Sequence, residues 1–539
     1  MGFFVIIFLG GIFSCLQFII EVPKRWCFSK VRTTINMNAV LQRSRMSYRL
    51  YSCQATVEKI TTVKTFDEIP GPSKASIIRG FLPGGEFYGK TIVEYFKICR
   101  EKYGDIYLLP GVFGKRDLLL TFNPADYETV FRNEGVWPMR RGLDLIQYHR
   151  KVRRADFFKE SGGLVSEQGE NWSRFRTAVN PAMMQVRTVR NYIPKMEKVA
   201  KEFVDVIRKK RSQETLEVDE HFERDINNWS LESVGLVALD TELGVLRESN
   251  RNPDAHILID GMRTFFELSY KLDVKPSLWK VVATPNFYKM MNTLDDVTDL
   301  SVKYIDEAFK RLEGQSEKNP QDLSVLERLV KIDRLIAIVM SMDMLLSGVD
   351  TTTTALSACL LSLASNQEKQ EILRKEVNNI FKNHDKLCDE NMKNLPYLRA
   401  CIKESLRLHP VLPANFRSAG HEIVLSDHRI PKGTDIVMPV QILQREEKHY
   451  IHPDEFIPER WTKDSQFYHG NKDPFIFLPF GFGPRMCIGR RISEQELEIA
   501  IIVILRNFRI EYDREIRDPF ITNFINVPNI PLNFKFIDL

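Results

Sequence analysis

The chain has 539 residues, of which 43% are hydrophobic and 27% charged, with a formal net charge of +5; that is enough to bury a full enzyme core. A positive surplus this small and this spread excludes a nucleic-acid interface, and even Arg208-Lys209-Lys210-Arg211 reads as a solvated helix end. Eight cysteines without a Cys-x-x-Cys pair, and ten histidines without His-Glu-x-x-His, leave no sign of a zinc site, a disulfide framework or a zinc hydrolase.

The first 65 residues differ from the rest. Residues 1–20 are apolar apart from Ser14 and Gln17, just long enough to span a bilayer. Between Val31 and Val57 no acidic residue occurs, and Arg32, Arg43, Arg45 and Arg49 alternate with Ser and Thr, the composition of a mitochondrial presequence. Arg49-Leu50-Tyr51-Ser52 resembles a mitochondrial processing site with cleavage after Tyr51. A basic linker behind a membrane anchor is the competing reading, while translation from Met37 or Met46 would leave a conventional presequence. Length alone would suggest two or three domains, but after Phe66 no linker or repeat divides the chain and the helical patterns run on without a break in composition.

Within that domain, Trp172-Ser173-Arg174-Phe175-Arg176 puts an indole and a guanidinium four residues apart on one helix face, where both can reach a single carboxylate. From Ile336 to Leu361 runs a long apolar helix interrupted by Ser347-Gly348-Val349-Asp350 and four threonines. Gly and Thr there cost roughly 0.5–1 kcal/mol each relative to Ala, so some function or packing must offset them; threonines bonding back to carbonyls in a bent helix is the plainer alternative. Glu404 and Arg407 share a face of the helix that Pro410 stops. Pro458-Glu459-Arg460-Trp461 follows.

Last comes Phe480-Gly481-Phe482-Gly483-Pro484-Arg485-Met486-Cys487-Ile488-Gly489. A glycine-rich turn and a following helix N-terminus can stabilise negative charge on sulfur, and Gly483 and Gly489 let the backbone approach a flat ligand. Cys487 alone would read as a buried structural cysteine.

Together these motifs, in this order, resemble the cytochrome P-450 superfamily, which implies that residues 66–539 form one large, mainly helical domain with small β-sheets. The resemblance implies haem b (iron protoporphyrin IX) with Cys487 as the thiolate ligand of its iron. It places Phe480, Gly481 and Gly489 in the cradle, and Trp172, Arg176, Arg417 and Arg485 around the propionates. Thr351 would face dioxygen in a groove opened by Gly348, and Asp350 would relay protons to it. Glu404, Arg407 and Arg460 would form a structural cluster locking the cysteine loop. The implied reaction is monooxygenation of a lipophilic small molecule such as a xenobiotic, an insecticide-like compound or a steroid. Substrate contacts are expected near Trp137 to Phe158, Ile338 to Thr351, Val411 to Phe416 and Asn526 to Pro531.

Glu134 to Arg141 and Gly169 to Pro181 resemble the mitochondrial clan, most closely its insect members. Arg399 and Lys403 match the basic positions with which that clan binds an acidic iron–sulfur ferredoxin, itself reduced by an NADPH reductase, and Arg490 and Arg491 add charge nearby. Microsomal relatives set their proline-rich hinge soon after an anchor, whereas Ile69-Pro70-Gly71-Pro72 lies far downstream. The matrix side of the inner mitochondrial membrane is therefore expected, with peripheral membrane contact around Ser277-Leu278-Trp279. The alternatives are a microsomal enzyme of the endoplasmic reticulum served by a flavoprotein reductase, or a haem-thiolate isomerase, which has no need of Asp350 and Thr351.

Overall fold

A computed structural model describes residues 63–539 apart from 160, 248–252, 314–318, 383, 469 and 471–472. The expected leader, with its apolar segment and its cleavage after Tyr51, lies outside the described residues. The described residues fall in one compact unit, predominantly helical as the sequence led us to expect.

Ten elements position the site. They are β1 (Ile106–Leu109), β2 (Leu118–Thr121), α1 (Gly169–Met184), α2 (Glu223–Ala238), α3 (Pro253–Ser269), α4 (Arg334–Ala364), α5 (Pro396–Leu408), β3 (Asn415–Ser418), β4 (Asp435–Met438) and α6 (Arg490–Asn507). The four strands make one sheet in the order β1-β2-β4-β3, antiparallel except where β2 runs parallel to β4. A smaller apolar core packs around this sheet, and the larger core surrounds α4.

α4 starts where the Asp333 carboxylate accepts from Ile336 N at 2.9 Å, satisfying a free first-turn donor. It is apolar all round because α2, α5 and α6 enclose it, as expected of a central helix. Among the described residues it is the one helix long and apolar enough to cross a membrane, yet 67% of that apolar window is buried in the protein. Gly348 sits where α2 crosses closest: a Cβ there would meet Val234 Cγ2 at 3.0 Å. The missing side chain thus lets α2 pack closely, and Gly348 also faces the central cavity, the side on which the sequence suggested a groove for dioxygen.

On α5, Glu404 and Arg407 are fully buried, and so is Arg460. Arg407 grips the carboxylate through Nε at 3.0 Å and Nη2 at 2.8 Å, Arg460 Nε adds a third bond at 3.0 Å, and Trp461 Nε1 a fourth at 3.0 Å. The remaining guanidinium donors reach carbonyls of Gln444, Ile451, His452, Pro453 and Glu455. The cluster therefore pins the stretch from Gln444 to Trp461. It reaches the cysteine loop only indirectly, through Gln444 Nε2 donating to Ile476 O at 2.9 Å and Trp461 packing on Phe477 at 4.4 Å.

Candidate active site

Between α4, the sheet and the cysteine loop lies a cavity of about 1010 Å³, large enough for a drug-sized ligand together with a flat cofactor. Cys487 lies in its wall, in the turn before α6. Its sulfur has open surface, but that surface faces the cavity and the surrounding protein mass buries the group. Cys487 N donates to Phe480 O at 2.8 Å, closing the loop. Gly483, at φ 70°, adopts the left-handed conformation that glycine tolerates, and a Cβ there would strike Glu134 Oε1 at 2.3 Å. Burial pushes the Cys487 thiol up, while backbone N–H groups of Gly489 and Arg490 and the charges of Arg176 and Arg140 pull it down. Burial wins, so a lasting thiolate here calls for a bound cation, as metal coordination supplies.

Among the guanidiniums that face the same cavity, those of Arg140, Arg176 and Arg485 have no carboxylate partner among the described residues. Arg485 Nε donates to Pro138 O at 3.0 Å and Nη2 to Glu167 O at 2.8 Å, leaving Nη1 buried without a partner. Its guanidinium lies 4.1 Å from the centre of the Trp172 ring. Arg176 Nε is likewise buried and unpartnered. Burial, followed by repulsion from Arg140 and Arg417, pushes Arg485 down to about 8, and burial holds Arg140 down at about 10. Clustered buried cations with free donors call for anions. A flat ligand with an anionic carboxylate edge and a metal centre for sulfur satisfies both demands, so the residues present fit haem.

Arg417 departs from the expectation. Its Nε donates to Glu134 at 2.5 Å, Nη1 to Phe416 O and Nη2 to Phe482 O. It lines the cavity, but its charge is matched by Glu134 and it braces the loop against β3. Arg140 takes the place among the unmatched cations; it lies in the Glu134 to Arg141 stretch, where no spacing or motif singles it out.

On the α4 side, Thr351 lines the cavity and Asp350 does not. Thr351 Oγ1 donates to Ser347 O at 2.8 Å, so the back-bonded conformation is present, with the hydroxyl oxygen still free to accept from a cavity ligand. The Asp350 carboxyl is buried, with Oδ2 unpartnered. Burial, then the charge of Glu223, raises it to about 7, with Arg263 opposing. It therefore faces α2 and α3, one step round the helix from Thr351. Two wall acids had no signal in the sequence. Asp343 pairs with Arg150 Nη2 at 2.7 Å and accepts from Leu164 N at 2.7 Å; Glu496 is buried without a partner for Oε1 and raised by burial to about 8.

The expected substrate segments fall partly on the wall. Arg140 to Asp144, the α4 residues Met344, Leu346, Ser347, Gly348 and Thr351, and Val411 to Phe416 contribute; Phe524 and Ile525 line it in place of Asn526 to Pro531. Phe265, Phe266 and the segment after α3 also line it, unforeseen. Of the expected partner-binding residues, Arg399 is largely committed inward, to Glu498 at 2.8 Å and to carbonyls of Met392 and Lys393. Lys403 is exposed beside the Trp461 ring, Arg490 pairs with Glu494 at 2.9 Å, and Arg491 donates to Met184 O.

Comparison with known proteins gives a consistent result. A family model described as Cytochrome P450 matches residues 70–537. Similar proteins include "Probable cytochrome P450 12a5, mitochondrial" of Drosophila melanogaster, 46% identical over 494 residues covering 88% of this chain and 91% of the relative. "Cytochrome P450 CYP12A2" of Musca domestica is 43% identical over 521 residues, covering 94% and 96%. "Probable cytochrome P450 12c1, mitochondrial" of Drosophila melanogaster is 44% identical over 485 residues, covering 88% and 92%.

Proposed function

The chain belongs to the cytochrome P450 family of haem-dependent monooxygenases, and from that premise we propose that it hydroxylates a lipophilic small molecule with electrons from a mitochondrial ferredoxin. The observation that carries this reading is the single cavity that joins the Cys487 sulfur and three unmatched guanidiniums to largely apolar walls. When bound, haem b supplies the activation of dioxygen and the insertion of one oxygen atom into a C–H bond. Cys487 is the ligand of its iron, and Arg140, Arg176 and Arg485 hold its carboxylates, with the Trp172 indole packed under Arg485. Phe480, Gly481 and Gly489 shape the loop.

Thr351 holds a hydroxyl in the cavity, and Asp350 stands behind it with a carboxyl that titrates near neutrality. Such a group both takes up and releases protons at the working pH, the property a proton relay needs. Thr351→Ala should leave haem content and substrate binding intact while diverting electrons to hydrogen peroxide, with coupling to product down by about tenfold. Unchanged coupling would remove Thr351 from proton delivery.

Relatives whose names include "mitochondrial" support a mitochondrial address, which we take to be the matrix side of the inner membrane. Leu278, Val281 and Val282 are 49%, 66% and 61% exposed and supply an apolar patch for peripheral membrane contact. Since Arg399 is held by Glu498, the clean test of the ferredoxin face is Lys403→Glu. Turnover with ferredoxin and its reductase should fall by roughly tenfold at low salt and approach wild type at high salt, as ions screen both attraction and repulsion. A loss that ignores salt, or wild-type activity with a microsomal flavoprotein reductase and none with ferredoxin, would overturn the assignment.

A further inference from the structure

The cavity carries a second set of charges that haem binding does not use. Lys115 and Arg116 in the turn between β1 and β2, and Lys275 and Lys280 beyond α3, line its wall together with Asp144 and Asp273. The charges acting on Lys115 are those of Asp273, Lys280 and Asp144, whereas Arg485 responds to Arg140, Arg417, Glu134 and Arg176. The two clusters therefore occupy separate places on the wall.

Lys280 is paired with Asp144. The other three cations make no direct ion pair with a carboxylate among the described residues. Lys115 Nζ donates to the main-chain oxygens of Asp273, at 3.0 Å, and Lys275. Lys275 lies 4.8 Å from the centre of the Tyr270 ring, and Arg116 is exposed. Asp273 offsets only part of this charge, because burial and Asp144 raise its carboxyl to about 7, and its Oδ1 has no hydrogen-bond partner. Burial drives the Lys115 ammonium down to about 8, the response of a desolvated cation that lacks an anion. Two other wall cations are already matched, Lys90 by Glu94 at 3.2 Å and Arg141 by Asp435 at 3.3 Å.

We propose that this part of the cavity recognises the anionic end group of an amphipathic substrate, with Lys115, Arg116 and Lys275 as specificity-determining residues. The inference rests on the cavity being the substrate site of the monooxygenase. The apolar body of the ligand lies against Phe265, Phe266, Met344 and Val411, and its carboxylate or sulfate accepts from the three cations. Charge-assisted hydrogen bonds are about twice as strong as neutral ones, and at half-buried Lys115 and Lys275 the lower local dielectric strengthens them further. A neutral lipophile of the same shape keeps the apolar contacts and forgoes that gain.

The test titrates the haem-loaded full chain with dodecanoate and with methyl dodecanoate, followed by the haem spectral change and, independently, by equilibrium dialysis. The wild type should prefer the carboxylate by about tenfold or more. In Lys115→Gln/Arg116→Gln/Lys275→Gln the preference should fall to near unity, with affinity for the ester kept within about twofold. Should the triple variant fail to fold, Arg116→Gln alone, at an exposed position, should cut the preference by about threefold. Equal affinities in the wild type, or a preference that survives in the variants, would overturn the proposal. If neither ligand bound while the carbon monoxide spectrum of the haem was intact, the substrate class would be wrong and the haem assignment would stand. If the triple variant lost adsorption to phosphatidylcholine vesicles containing cardiolipin yet kept its carboxylate preference, the cations would serve a membrane surface and the proposal would fall.

Discussion

Glu404→Ala is expected to abolish accumulation of folded, haem-loaded protein. The substitution strips Arg407 and Arg460 of the carboxylate that both grip, and neither guanidinium can reach water, since Arg407 is 0% and Arg460 2% exposed. Breaking a buried ion cluster by removing one partner costs about 3–5 kcal/mol, against a typical total stability of about 5–15 kcal/mol. The loss also releases Ile457 N and Trp461 Nε1, which donate to the same carboxylate. Haem content per chain and the thermal unfolding temperature are the measurements. Glu494→Ala breaks only the exposed pair with Arg490 and should cost less than about 1 kcal/mol, so the two variants separate a structural cluster from surface charge. A Glu404→Ala protein with normal haem content and wild-type unfolding would show that the cluster does not hold the fold.

Much of the site was legible because its motifs are local. The cysteine loop is ten consecutive residues, Trp172 and Arg176 sit four apart on one helix face, and Glu404 and Arg407 three apart on another. Spacing alone decides which of these side chains can meet. What the sequence hid are contacts set by tertiary register. Glu134 reaches Arg417 across 283 positions and Asp343 reaches Arg150 across 193, and no local pattern marks either partner. That is why Arg417 was expected among the ligand-binding cations and Arg140 was not.

The direction of Asp350 was hidden for a related reason. Neighbours on a helix point about 100° apart, and only the packing of α2 and α3 decides which of two adjacent residues faces the cavity. Gly348 shows the same limit: its small size was evident, but the side it leaves open depends on Val234 of a different helix. Arg399 and Lys403 stand four apart on α5, yet Glu498 and two carbonyls of the preceding turn draw Arg399 inward. An exposed cation and a structural one look alike until the neighbouring helix is present.

The ligand role of Cys487 makes the largest and cleanest prediction, because every other part of the account is arranged around it. Thiolate donation to haem iron sets the spectrum of the reduced carbon monoxide complex, and no other described cysteine lines the cavity. Cys487→Ala removes the sulfur and leaves Arg140, Arg176 and Arg485 in place to hold a haem carboxylate edge. The decisive measurement is therefore the absorption spectrum of the reduced, carbon monoxide-treated full chain, wild type beside Cys487→Ala. The account predicts the strongly red-shifted Soret band of a thiolate-ligated haem in the wild type and its complete loss in the variant; a variant that keeps that band would contradict the assignment of Cys487 as the iron ligand.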